Sequence, residues 1–204
     1  MKQVILIGAF HEMIELCEES GFEIVGLIDN SIKASDYYGY PVLGTDEDAA
    51  ALHKDYPLCS VVITPDSPAI RKRLALQYVS LGFGFATVIH PSARVSKSAR
   101  IGQGSVIQSG VNVSSNSRIG SFCKLNVNAN IMHDNEIGDY ATVAPNAVLL
   151  GYVTLEEGAY IGANSTVLPN VTIGNNSVVG AGAVVVQNVQ SDCTVIGVPA
   201  KYRQ

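Results

Sequence analysis

Residues 125–149 read LNVNAN-IMHDNE-IGDYAT-VAPNAV-L, and every sixth position is aliphatic: Leu125, Ile131, Ile137, Val143 and Leu149. The phase holds back through Ile119, Val113, Ile107, Ile101 and Val95 to Ile89. It holds forward through Leu155, Ile161, Val167, Ile173 and Val179 to Val185. A fixed period over that length is an internal repeat, and it decides architecture before local propensity does. Two positions before each aliphatic residue there is usually a small one, as at Ser105, Ser117, Cys123, Ala129, Ala141, Ala147 and Ala183; Val111, Val153 and Val171 are larger, and Asn135 is polar. Residues i and i−2 face the same side of a strand. Each hexad therefore sends one aliphatic and one small side chain inward, while Gly and Asn fill turn positions that need left-handed backbone. Six residues make one flat side, and three sides make an 18-residue coil, so coils stack at about 4.8 Å into a triangular β-solenoid. Each buried aliphatic contributes roughly 1.5–3 kcal/mol, which offsets the ordering of a Gly-rich chain.

Before this repeat the grammar differs. Gln3–Ile7, Phe22–Ile28 and Ser60–Thr64 read as strands; Phe10–Ser20, Asp46–Lys54 and Ser67–Leu81 read as helices, with Thr45 an expected N-cap and Gly21 and Gly82 expected stops. Strands alternating with helices imply a parallel sheet. The chain thus divides into an α/β domain over 1–86 and an all-β solenoid over 87–204, with His90-Pro91 at the change.

Bulk properties narrow the function. The 204 residues carry a net charge of −5 and no Lys/Arg run, which argues against a nucleic-acid groove or an anionic membrane surface. The cysteines (Cys17, Cys59, Cys123 and Cys193) show no Cys-x-x-Cys pairing and read as reduced thiols of a cytoplasmic protein. Val4–Ile7 is too short for a signal-peptide core, and no stretch approaches a membrane span.

The Gly that follows many of the aliphatics (Ile101-Gly102, Ile119-Gly120, Ile137-Gly138, Ile161-Gly162, Ile173-Gly174, Val179-Gly180) resembles the hexapeptide-repeat acyltransferases. That resemblance implies a left-handed parallel β-helix, acetyl-CoA as co-substrate, no metal, and a homotrimer with active sites between subunits. The α/β domain ahead of the helix, Rossmann-like in outline, is similar to that of the sugar O- and N-acetyltransferases of bacterial glycan synthesis. Those enzymes act on sialic acid or on the amine of nucleotide-linked 4-amino sugars.

Acetyl transfer needs a base near the attacking nucleophile, and His suits neutral pH. The solenoid offers His90, at the domain junction, and His133. Taken alone, His133 beside Asp134 reads equally as a base or as an exposed turn. The resemblance favours the base, with Asp134 raising its basicity and Asn126 orienting the site. Gly151 lies one coil beyond His133, where a side chain would crowd a substrate. On another edge run ladders of small residues: Ala144, Gly162, Gly180 and Pro145, Ala163, Ala181. They read either as tight turns or as a bed for a pantetheine arm, and the resemblance places coenzyme there, at Thr142, Gly162, Ala163, Gly180 and Ala181. Relatives often carry a second His where this chain has Thr142. Gly197-Val198-Pro199-Ala200-Lys201 matches the family's closing motif, and Lys201 reads either as a solvated terminal residue or as a contact to a coenzyme phosphate. In the α/β domain the turn Gly8-Ala9-Phe10-His11 is shorter than the relatives' Gly-rich loop. With Asn30, Asp29, Pro65 and Asp66, at the ends of successive strands, it is the expected acceptor site. No Gly-x-Gly-x-x-Gly is present, which argues against a dinucleotide. A zinc hydratase on such a helix needs three His ligands and finds two. A non-catalytic, metabolite-binding solenoid remains the alternative of another class.

Overall fold

In the computed structural model, which describes residues 2–203, the chain opens with β1 (Lys2–Ile7), α1 (His11–Glu19), β2 (Phe22–Ile28), β3 (Asp36–Tyr37), β4 (Tyr40–Gly44), α2 (Ala49–Asp55), β5 (Ser60–Ile63), α3 (Pro68–Ser80) and β6 (Gly84–Phe85). The sheet order is β3-β4-β2-β1-β5-β6, parallel except for the β3–β4 pair. Met13, Ile14, Leu16 and Cys17 of α1 cover one face; Ala49 and Leu52 of α2 with Leu74, Ala75 and Tyr78 of α3 cover the other. A parallel sheet buried on both faces needs continuous apolar strands, and Val4 to Ile7 and Val61 to Ile63 are such runs.

Two boundaries shift from the sequence reading. The expected helix at Asp46 starts at Ala49, because Asp48 folds back to accept hydrogen bonds from the Thr45 backbone N–H (2.8 Å) and hydroxyl (3.0 Å). Thr45 therefore closes a turn instead of capping the helix. The strand β4 was hidden by Pro41 and Gly44, which ordinarily signal a turn. Gly21 and Gly82 do stop their helices, at φ +77° and +89°.

From Val88 the hexads wind into three walls of two-residue strands, each paired in parallel with the strand 18 residues on, as Ile107 pairs with Leu125. The first wall carries Val106, Lys124, Thr142 and Tyr160; the second Asn112, Asn130, Val148 and Thr166; the third Arg100, Arg118, Glu136 and Thr154. The phase ends in the last coil, where Val178 pairs with Thr194 and Ile173 with Val189, two residues early. Inside lie the aliphatics and the small residues: Ala129, Ile131, Ala141, Val143, Ala147 and Leu149 are all fully buried. Asn135, the polar exception, is also fully buried and is satisfied there. It donates to Met132 O (3.1 Å) and accepts from Val153 N–H (2.6 Å), bracing the turn between the second and third walls.

From Gly104 to Gly182 each turn has one residue in left-handed backbone. Asn holds that place at 116, 128, 146, 164, 170 and 176, with φ between +55° and +63°. Gly104, Gly110, Gly158 and Gly182 hold it without strain and Asp134 tolerates it, whereas Phe122, Tyr140 and Tyr152 accept that conformation only under compulsion.

Candidate active site

The α/β domain sits on the first wall and on the edge between the third and first walls. Phe122 stacks on Tyr140 at 5.4 Å and inserts into the core beneath α2 and α3. The junction is organised by Arg71 of α3, 1% exposed. Its Nε donates to Phe122 O (2.9 Å) and its Nη1 to Asp66 O (2.7 Å). Its Nη2 donates to Tyr140 O (2.6 Å), Ala141 O (3.1 Å) and Thr142 Oγ1 (2.8 Å). Burial pushes this guanidinium down to about 10, so it remains cationic at neutral pH, and its carbonyl partners occupy the donor fork. Asp66 is drawn into the same junction: Asn126 Nδ2 donates to its Oδ1 (3.1 Å), Tyr160 OH to its Oδ2 (3.3 Å), and Lys124 Nζ stands 3.6 Å away. Burial lowers the Lys124 ammonium, against the attraction of Asp66. His90 is also structural, bridging Ser92 (2.8 Å) and Glu19 of α1.

These contacts revise three expectations. Asn126 does not orient His133 within this chain: it begins the edge between the first and second walls, and its amide is held by Asp66. Thr142 does not face coenzyme. It is fully buried, donating to Asp66 O (3.0 Å) and accepting from Arg71, so the hydroxyl serves the domain junction. Asp66 in turn is a strut between domains and does not line the α/β cavity.

His133 stands on the edge between the second and third walls, opposite the docked domain. It is 47% exposed, and its Nδ1 lies 2.9 Å from Asp134 Oδ2. A carboxylate only accepts, so Nδ1 donates and the neutral ring keeps the lone pair on Nε2, free to take a proton. The hydrogen bond from His133 holds the Asp134 carboxyl below the usual range, with help from Asn116. Tyr152 packs edge-on against the ring at 5.4 Å. A Cβ on Gly151 would come within 2.6 Å of His133 Cε1 and 2.8 Å of Nε2, so only glycine leaves the ring its place.

On the edge between the first and second walls the small residues have two causes. A Cβ on Gly162 would meet backbone of the next coil at 2.6 Å, and one on Gly180 would meet Ile196 at 2.6 Å, so coil stacking alone demands these glycines. Ala163 and Ala181 remain on the outer surface as a smooth strip, the first half-buried and the second exposed. Lys201 lies exposed on the closing antiparallel strand Lys201–Tyr202.

At the carboxyl ends of the α/β strands, Gly8, Phe10, Asp29, Asn30 and Pro65 line one cavity of about 220 Å³. Ser31, Asp46 and Arg73 complete it, and sequence reasoning missed all three. Burial would raise Asp29, but hydrogen bonds from Ser31, Ala9 and Ile32 outweigh it and keep the carboxyl low. Ala9 contributes its backbone N–H to Asp29 (2.9 Å). His11 turns away, its ring over Tyr38 at 3.9 Å and its Nδ1 3.8 Å from Glu15. Among the described residues no group of three His, Cys, Asp or Glu is placed to hold a metal ion.

The bacterial transferase hexapeptide (six repeats) family matches residues 152–187. No curated protein sequence matches the chain. Among solved structures, PerB from Caulobacter crescentus, in complex with CoA and GDP-perosamine, is 31% identical over 100% of this chain and 98% of that one, with a TM-score of 0.94. The acetyltransferase domain of PglB from Neisseria gonorrhoeae is 29% identical over the whole of both chains, at 0.90. WeeI from Acinetobacter baumannii is 26% identical over the whole of both, at 0.86. With that likeness running the length of an α/β domain and a left-handed parallel β-helix, this chain belongs to the hexapeptide-repeat, acetyl-CoA-dependent sugar acyltransferases.

Proposed function

We propose that the protein transfers the acetyl group of acetyl-CoA to the amine of a nucleotide-linked 4-amino sugar, as a homotrimer in the cytoplasm. The observation that carries the reading is the His133–Asp134 pair. It presents a lone pair on an open edge over a glycine that no other residue can replace without moving the ring. The bound ligands of PerB (CoA and GDP-perosamine) supply the two substrate classes.

The sugar amine attacks the thioester carbonyl, and a C–N bond forms. His133 Nε2 takes the proton that the nitrogen loses. Backbone N–H groups of the turns stabilise the oxyanion, and the C–S bond then breaks. The proton passes from His133 to the departing thiolate, giving the amide and free CoA. Only a neutral amine attacks, so the rate rises with pH until deprotonation is complete.

The placement of the edges supports the trimer. His133 lies on the edge opposite the wall that holds the chain's own α/β domain, and the smooth strip of Ala163 and Ala181 lies on a different edge. One copy cannot close a cleft around all three, whereas neighbouring copies set edge against edge. Four free cysteines accord with a reducing compartment, and burial pushes the Cys17 and Cys123 thiols up to about 12. No helix among the described residues is long and apolar enough to cross a membrane.

The test is release of free thiol from acetyl-CoA against GDP-, UDP- and dTDP-linked amino sugars and sialic acid, with His133→Ala as control. Turnover on a nucleotide amino sugar that the substitution abolishes bears the reading out. Transfer to the sialic acid hydroxyl alone moves it to O-acetylation. No transfer to any acceptor leaves a metabolite-binding solenoid.

A further inference from the structure

One coil before Asp134, at the same turn position, stands Asn116. Its side-chain amide is a second donor to the carboxylate that holds His133. We propose that Asn116 is a positioning residue for acetyl transfer: it locks the plane of the Asp134 carboxylate and, through it, the orientation and tautomer of the His133 ring. The proposal rests on the reading of His133 as the base and extends that pair by one member.

Asn116, Asp134 and Tyr152 hold the left-handed position in three successive coils, at φ +60°, +57° and +61°. Backbone contacts fix how they stack. Asp134 N–H donates to Ser115 O (2.9 Å), Tyr152 N–H to His133 O (3.2 Å), and Asn116 N–H to Ser98 Oγ (3.0 Å). The three side chains therefore form one column beside the ring. Within it the two oxygens of Asp134 are divided: Oδ2 accepts from His133 Nδ1 at 2.9 Å, and Oδ1 accepts from Asn116 Nδ2 at 3.3 Å.

That division matters because one contact does not fix a carboxylate. The last torsion of an aspartate is broad and roughly two-fold. The Asp134 side chain is 31% exposed, so with a single partner it swings and trades that partner for water. His133 has little else to hold it: the ring is half exposed, with Tyr152 edge-on against it. Once Nδ1 loses its acceptor, nothing keeps the proton there, and the tautomer with Nε2 protonated has no lone pair to offer the substrate. A second donor, carried on the stiff backbone of the preceding coil, stops the swing.

The solenoid builds the same stack once more, away from any histidine. Asn176 Nδ2 donates to Asp192 Oδ1 at 3.2 Å, both residues in left-handed turn positions (φ +55° and +57°), with Ser191 where the other stack has His133. Asn176 therefore measures what such a contact does for the fold alone.

The experiment compares Asn116→Gly with Asn176→Gly. Glycine accepts left-handed backbone, so each change removes an amide and keeps the turn. Steady-state kinetics and melting curves are read beside the His133 Nδ1–H resonance in protein carrying isotope-labelled histidine, assigned by its absence in His133→Ala. Asn116→Gly lowers kcat by about 3- to 30-fold and broadens or abolishes that resonance. The KM of each substrate stays within about twofold, because ground-state binding is untouched. Asn116→Asp, nearly the same shape, sets a second carboxylate against the first and lowers kcat further. Asn176→Gly shifts the melting curve as much as Asn116→Gly does and leaves kcat and the resonance alone. A normal kcat in Asn116→Gly overturns the proposal, whatever the resonance does, and so does an equal loss of rate in both glycine variants. The resonance requires no acceptor. A wild-type protein that acetylates nothing ends the functional reading, while a resonance that Asn116→Gly leaves intact ends this one.

Discussion

Two edges of one prism, built on the same six-residue repeat, have opposite fates. At the edge that meets the α/β domain, Phe122 and Tyr140 occupy the left-handed turn position, and Arg71 satisfies the carbonyls around them. At the edge opposite, Asp134 and Tyr152 occupy that same position. There the imidazole of His133 stands half exposed over Gly151. One edge is closed by hydrogen bonds and aromatic packing; the other is held open. The repeat sets where side chains point, and the departures from Asn at one turn position mark what each edge is for.

The largest expected effect breaks the open edge and leaves the closed one alone. His133→Ala lowers kcat by about 10²- to 10⁴-fold, the range for removal of a general base. Thermal unfolding stays where it was, because the ring lies outside the core. Gly151→Ala, through the forced displacement of His133, lowers kcat by about 10²-fold with the fold intact. Steady-state kinetics beside a melting curve checks both. A Gly151→Ala enzyme of normal rate would show that the ring position is not decisive.

Arg71→Met is the mirror experiment. It strips a buried cation from a ring of carbonyls, of which Phe122 O and Tyr140 O have no other hydrogen-bond donor among the described residues, and the protein loses about 3–5 kcal/mol in urea unfolding. Thr142→Val, which removes one hydroxyl from the same junction, costs about 1–3 kcal/mol. Neither touches the open edge, so kcat per folded molecule falls far less than with His133→Ala. If Thr142→Val cut kcat as deeply as the histidine change while leaving stability alone, the two edges would not be separate.

How much of this was legible in the sequence follows the same division. The hexad phase gave the walls, the inward faces and the place of His133, because strand period and coil length are local properties. Gly151 was legible for the same reason: stacking at 18 residues needs only counting. The acceptor cavity was half legible. Strand ends pointed to Gly8, Asp29 and Pro65, whereas Arg73 and Asp46 come from helix and turn positions that only packing brings near. The closed edge was not legible. Asn126 and Thr142 sit on outward positions that local pattern leaves free, and the domain that covers them arrives from 60 residues or more away in sequence. One signal existed: Arg71, Leu74, Ala75 and Tyr78 share a helical stripe that is buried throughout. A cation inside an apolar stripe implies carbonyl or carboxylate partners across it.

A subtler break concerns pH. The Asp134 carboxyl titrates below its usual range, so it is already an anion across pH 5 to 9. The hydrogen bond it lends to His133 is present above the ordinary carboxylate range, and it is lost only as pH falls through the lowered value. The rate should rise with pH because both the histidine base and the attacking amine must be neutral, while Asp134, already an anion there, adds no limb of its own. A limb between about pH 6 and 9 that Asp134→Asn leaves untouched would mean that the pair is not formed.

The smallest effect is the sharpest for the comparison. Tyr152 holds φ at +61°, a backbone that glycine adopts without strain and tyrosine does not. If the turn keeps tyrosine there for the ring it places against His133, then Tyr152→Gly stabilises the fold by about 0.5–1 kcal/mol and slows the reaction at the same time. Asn170, one coil on at φ +63°, has no such duty, so Asn170→Gly leaves both rate and stability nearly unchanged. Equal responses at 152 and 170 would reduce Tyr152 to an ordinary turn residue. Opposite signs in stability and rate at 152 alone would show that the open edge keeps strained backbone because the catalytic ring needs its neighbour.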